Sequence, residues 1–189
     1  MSSSKARPSL WGRLTRAFAG IALATVAVVT SGAAPASAEA WPVVEGFESR
    51  PFDRWSPYIN GQGNIEASQA SILAHSGVGS IFMYSATGSW VSIERRITLD
   101  RSSGARTCGA NIWASPQANY DTSLNLEVID AATWTYVSVK NVPITGGRYQ
   151  QVQFANFAHT DKPIVVRIVL SKHNVNLDDF QLWCSRPLS

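Results

Sequence analysis

No stretch of this chain carries a convincing 3.6-residue apolar period of useful length, which leaves no basis for a helical core. Catalytic signatures are missing as well. There is no GxSxG elbow and no HExxH pair, and His75, His159 and His173 each sit beside turn residues with no nucleophile at a recognisable spacing. Acidic residues are absent from the first 38 positions, where Lys5, Arg7, Arg13 and Arg16 precede an apolar run from Ala17 to Thr30 and a small-residue site at Ala36-Ser37-Ala38. This is the pattern of a secretory signal peptide over residues 1–38, removed to leave a domain over 39–189. The apolar run is shorter than the roughly 18 residues of a spanning helix and no second one follows, so a soluble, secreted, extracellular product with no membrane partner is expected.

The formal charge of +3 belongs to that leader: 12 of the 16 basic residues and all 13 acidic ones lie from Glu39 onward, which makes the remainder −1. No basic stripe is left to bind nucleic acid. Cysteine is scarce, with Cys108 and Cys184 alone, and an even pair in an exported chain reads as a disulfide rather than a redox or zinc site.

What is present is a steady series of short strand patterns. Trp90–Leu99, Thr107–Ala114, Ser123–Ile129, Trp134–Val139, Tyr149–Phe157, Pro163–Leu170 and Val175–Cys184 alternate or run apolar, with turn signals such as Ser102-Ser103-Gly104, Ser115-Pro116 and Thr145-Gly146-Gly147 between them. Earlier, a short strand after Trp41 breaks into a loop before Trp55, a polar Gly-containing passage follows, and His75-Ser76-Gly77 separates two apolar runs. Trp41 and Trp55 read as core. The spacing predicts an all-β, two-sheet antiparallel sandwich or a barrel.

In the closing stretch VNLDDFQLWC, alternation places Asp178 on the face of Phe180, Leu182 and Cys184, with Asp179 opposite. A carboxylate on an apolar face costs several kcal/mol unless it is paired, protonated or metal-bound. Asp178 therefore needs a buried Arg partner, a hydrogen-bonded strand end, or a hard cation with oxygen ligands. Alternation also separates Asp178 and Asp179 too far to act as a glycosidase pair. Cys108 shares its face with Ala110 and Ile112, so both thiols point inward, and their bridge stabilises the fold by roughly 4 kcal/mol in the chain-entropy picture.

The same reading puts Asn111 and Trp113 on the outward side of one strand, Asn125 and Glu127 on another, Gln151 and Gln153 on a third and Arg167 on a fourth. A sugar offers an apolar CH face to an aromatic ring and hydroxyls to amides, carboxylates and guanidinium, so this set suits a glycan. Trp113 is the expected platform. Trp90, Tyr84, Tyr58, Tyr120 and Trp134 are further aromatics that a loop-end site could use, and the plainer alternative is a solvated sheet face with Trp113 packed beneath a loop.

In order along the chain, GFE at Gly46–Glu48, Trp55, HSG at His75–Gly77, the strand opening at Trp90 and the closing VNLDDFQL resemble jelly-roll carbohydrate-binding modules of the cellulose- and xylan-binding type within the galactose-binding-domain-like superfamily. The resemblance implies a jelly-roll sandwich, a polysaccharide or cell-envelope glycan as ligand, no catalysis, and a secreted hydrolase as companion. It also implies a structural Ca2+ held by Glu48 and Asp178, with Glu45 and Asp179 in reserve. The metal-free alternative is an ionic tie through Arg50 or Arg54. The competing functional reading is a secreted protein-interaction or cell-surface β-sandwich without sugar binding, and a third is a small hydrolase whose site is not recognisable.

Overall fold

The computed structural model describes residues 42–98, 106–117, 120–159 and 162–185. The signal-peptide stretch, Trp41, Leu99 and the Ser102-Ser103-Gly104 turn lie outside the described residues. The strands are β1 Val43–Glu45, β2 Ser56–Asn60, β3 Gly63–Ser68, β4 Ser80–Ser85, β5 Trp90–Ile97, β6 Arg106–Ser115, β7 Thr122–Asp130, β8 Tyr136–Ile144, β9 Gln150–Gln153, β10 Phe157–His159, β11 Ile164–Leu170 and β12 His173–Cys184. Two single-turn 3-10 segments, Pro51–Asp53 and Ser71–Leu73, are the other regular elements among the described residues.

These strands form two antiparallel sheets, as expected. One has the order β10-β6-β12-β4-β3, with β1 added on β12 and β9 on β6; the other has the order β2-β5-β11-β7-β8. Side chains alternate between the core and the outside. Val91, Ile93, Leu124, Leu126, Val128, Val166 and Ile168 of the five-stranded sheet meet Ile81, Met83, Ala110, Ile112, Leu177 and Leu182 of the larger one. At one end Phe47, Trp55, Phe154 and Phe180 interlock edge to face at centroid distances of 5.1 to 6.3 Å. Trp55 is fully buried, as its reading predicted.

Cys108 and Cys184 face each other in the β6–β12 register and are disulfide-bonded, with Cα atoms 3.8 Å apart. The bridge is therefore where inward alternation placed it.

Several strand expectations are corrected, among them Tyr149–Phe157, which is split into β9 and β10 by the break at 154–156. The polar Gly-containing passage around residues 60–64 turns between two strands not expected from the sequence, β2 and β3, which pair at sheet edges where an apolar run is not required. The first apolar run before His75 is a 3-10 turn rather than a strand. The strand expected from Trp134 starts at Tyr136 and continues to Ile144, because Trp134 has φ 56° in the turn that precedes it.

Candidate functional site

The largest correction concerns β12. Its register against β6 shifts between Asp178 and Gln181, and Asp179 adopts φ 48°. An extra residue of this kind is a β-bulge, which reverses the alternation on its far side. Val175 and Leu177 point into the core before it, and Phe180, Leu182 and Cys184 after it. Asp178 therefore belongs with Asn176 on the outer face of the seven-stranded sheet, not with Phe180. It is nevertheless fully buried, because the loop from Ala74 to Gly79 closes over it.

Asp178 Oδ2 accepts the backbone N–H of His75 at 2.8 Å and of Ser76 at 3.0 Å, and its Oδ1 accepts the N–H of Asp179 at 2.7 Å. Burial pushes its carboxyl above the usual carboxylate range and the neighbouring Asp179 adds to this, while the three N–H donors pull the other way. Asp179, turned by the bulge, reaches the same loop: its Oδ2 meets His75 Nδ1 at 2.7 Å and its Oδ1 accepts the Ser76 hydroxyl at 2.9 Å. The expectation that the two acids face apart is thus overturned by the bulge. The Ser76 hydroxyl is directed to Asp179 rather than to the imidazole, so this Ser, His and Asp do not form a nucleophile relay.

Glu48 accepts the N–H groups of Val78 and Gly79 from the other side of the loop at 3.1 and 3.2 Å. Glu48 and Asp178, from opposite ends of the chain, therefore do meet at one short loop. Calcium takes six to eight oxygen ligands. The groups facing these carboxylates are amide N–H donors, and among the described residues no group of three or more His, Cys, Asp or Glu is assembled for a metal. As they stand, the donors do not fit a calcium shell. Glu45 has a different duty, accepting Arg54 Nη1 at 3.0 Å and Arg95 Nη1 at 3.3 Å.

The residues expected to bind ligand fall on two sheets. Asn111 and Trp113 lie on β6, outside the seven-stranded sheet, where Trp113 is flanked by Gln151 and Asp178. The His75 ring covers it at 3.8 Å and 12°. Tyr149 packs edge-on against His75 at 5.4 Å, its hydroxyl donating to the Leu73 carbonyl and its acidity suppressed by burial and by the two Asp charges. Trp113 is packed beneath a loop, and Glu127 and Arg167 are not its neighbours.

Asn125, Glu127, Arg167 and Trp90 do come together, on the outer face of the five-stranded sheet. Glu127 and Arg167 are opposite each other in the β7–β11 register, and Arg167 Nε donates to Glu127 Oε2 at 2.6 Å. Arg167 Nη2 also donates to the Tyr136 hydroxyl at 3.2 Å, and Asn141 donates to Asn125 Oδ1 at 2.6 Å. At the far side Trp90 and Tyr58 stack at 5.0 Å and 27°. Trp90, Asn125, Glu127, Tyr136 and Arg167 line a groove of about 270 Å³. Tyr136, which sequence reasoning missed, could have been found only from the β7–β8 pairing. Of the other aromatics, exposed Tyr120 stacks on His173 at 5.2 Å, and Tyr84 and Trp134 stand exposed elsewhere.

No protein-family model matches the chain, and no curated protein matches it in sequence. Solved structures do. A CBM61 in complex with β-1,4-galactotriose is similar over 75% of this chain and 95% of its own, at 17% identity and a TM-score of 0.58. The CBM22-1 xylan-binding domain of Paenibacillus barcinonensis Xyn10C is similar over 77% and 95%, at 13% identity and a TM-score of 0.58. The CBM22-1-GH10 modules of Clostridium thermocellum xylanase 10B, complexed with xylohexaose, match over 75% of this chain and 28% of theirs, at 14% identity and a TM-score of 0.54. At these identities the likeness establishes the fold: this chain has the two-sheet jelly-roll architecture of carbohydrate-binding modules.

Proposed function

We propose that the outer face of the five-stranded sheet binds a polysaccharide or cell-envelope glycan without catalysing a reaction on it. The observation that carries this reading is that Trp90, held by its stack on Tyr58, lines one groove together with the polar groups of Asn125, Glu127, Arg167 and Tyr136. An aromatic surface takes the CH face of a pyranose, and the carboxylate, amide and guanidinium take its hydroxyls. The Glu127–Arg167 pair holds both charged groups in place before ligand arrives, which lowers the ordering cost of binding. Neighbours of this fold are solved with galactotriose and xylohexaose, which fits the same class of ligand. Export after cleavage behind Ala38 and a companion hydrolase belong to this reading, the first from the amino-terminal sequence and the second from the fold likeness.

Trp90→Ala should lose about 2 kcal/mol of binding, roughly thirty-fold in affinity, in affinity electrophoresis through xylan, galactan and soluble cellulose derivatives. Trp113→Ala should bind like the parent below its melting temperature. Retention that depends on Trp113 and not on Trp90 would move the site to the other sheet, and no retention on any glycan would favour the protein-interaction reading.

For the corner at Glu48 and Asp178 we propose that the loop amides, rather than a calcium ion, neutralise the carboxylates. Chelator should then leave the melting temperature unchanged. A fall on chelation that calcium reverses, and that Asp178→Ala abolishes, would return the corner to calcium.

A further inference from the structure

A second concavity, of about 370 Å³, lies on the opposite sheet, near the end where β6 stops and β12 begins; Leu73, Ser115, Gln117, Arg148, Tyr149 and Asn176 are among its walls. Asn176 sits on β12 between Ser115 of β6 and Phe82 of β4 in register, so its side chain stands on the outer face with a strand on either side. It is 4% exposed, and its Oδ1 has no hydrogen-bond partner. Ser115 does not supply one, since its hydroxyl donates to the Pro116 carbonyl. A buried acceptor left unpaired is costly, and native structures satisfy nearly all of them. The far wall is fixed: the Tyr149 hydroxyl donates to the Leu73 carbonyl at 2.5 Å, which pins the 3-10 turn over the cavity. Arg148 stands exposed on the rim and takes part in none of the ion pairs among the described residues.

The cavity thus presents an unused acceptor at its floor and the donors of Arg148 and Gln117 at its mouth. A hydroxyl both donates and accepts, and a ring bearing several of them satisfies the two ends at once. We propose that this cavity is a second glycan subsite, independent of the Trp90 groove, in which a single sugar unit donates a hydroxyl to Asn176 Oδ1 and accepts from Arg148.

The test is a titration of the 15N-labelled protein with the methyl glycosides of xylose, glucose, galactose and glucuronic acid, following the Asn176 side-chain amide, the Arg148 guanidinium and the Trp90 indole. The expected result is that at least one glycoside shifts the Asn176 and Arg148 signals in Trp90→Ala as in the parent, and that Arg148→Ala weakens this binding about ten-fold. Asn176→Leu, close in volume, should abolish it while melting no lower than the parent, since it removes an unsatisfied polar atom. If none of the four shifts these signals, or if the shifts disappear in Trp90→Ala, the second subsite is wrong. A clear drop in melting temperature for Asn176→Leu would instead assign Asn176 a structural role and overturn the proposal. Failure here leaves the Trp90 groove untouched, because that groove is read from the indole signal and from Trp90→Ala.

Discussion

Glu45 shows how one side chain can join the two sheets. It ends β1, points inward, and accepts Arg95 Nη1 at 3.3 Å from β5 of the opposite sheet as well as Arg54 Nη1 at 3.0 Å. The Arg95 guanidinium, 5% exposed, also lies 6.0 Å from the centroid of the buried Trp55 ring. A buried ion pair adds little net stability over a well-packed apolar pair, because desolvation offsets the attraction; breaking one partner away is what costs. Glu45→Ala should therefore lower the unfolding free energy by about 3 kcal/mol in urea titration, since a buried guanidinium loses one of its charged contacts and the tie between the sheets goes with it. Glu45→Ala with Arg95→Met should recover a large part of that loss. If the double variant is as unstable as the sum of its parts, the two residues do not act as a pair.

At the scale of elements, the loop from Ala74 to Gly79 decides how the outer face of the larger sheet is covered, and its glycines set how closely it can approach. Gly79 is wedged against the backbone of Phe47 and Glu48, so a Cβ there would overlap the Phe47 carbonyl, and backbone cannot move aside as a side chain could. Gly79→Ala should cost about 3 kcal/mol and release the amide hydrogen bond to Glu48, seen as faster hydrogen exchange at Val78 and Gly79. Unchanged exchange would mean that the loop docks without that approach. How far this arrangement could be read from the sequence follows from the same elements. The inward and outward sides of β6 and β7 were legible because small or apolar residues alternate with others along them, and those of β11 because Arg167 alone marks the outward face of an apolar run. Asp178 was not, since a bulge is a backbone event at Asp179 that alternation cannot register. Nor could sequence separate Trp113 from Glu127 and Arg167: all stand on outward faces, and which sheet each strand joins depends on non-local pairing. The edge strands β2 and β3 escaped notice because edge positions tolerate polar residues.

Taken as a whole molecule, the sandwich divides its labour between sheets. The seven-stranded sheet holds the chain together through β12, which pairs with β1, β6 and β4 and carries the disulfide to β6. The five-stranded sheet carries the Trp90 groove, and none of the groove residues lies on a strand that the disulfide joins. The bridge closes a loop of 76 residues, which in the chain-entropy picture corresponds to about 4 kcal/mol. Reduction, or replacing both cysteines by alanine, should lower the unfolding free energy by that order, since the cross-link restricts the unfolded chain more than it shapes the folded one. Glycan retention measured well below the new melting point should not change, because the packed core leaves β5, β7 and β11 in place once folding is complete. Parallel loss of stability and of binding, at a temperature where circular dichroism still reports a folded protein, would show that the larger sheet transmits strain to the groove and that the division between sheets is wrong.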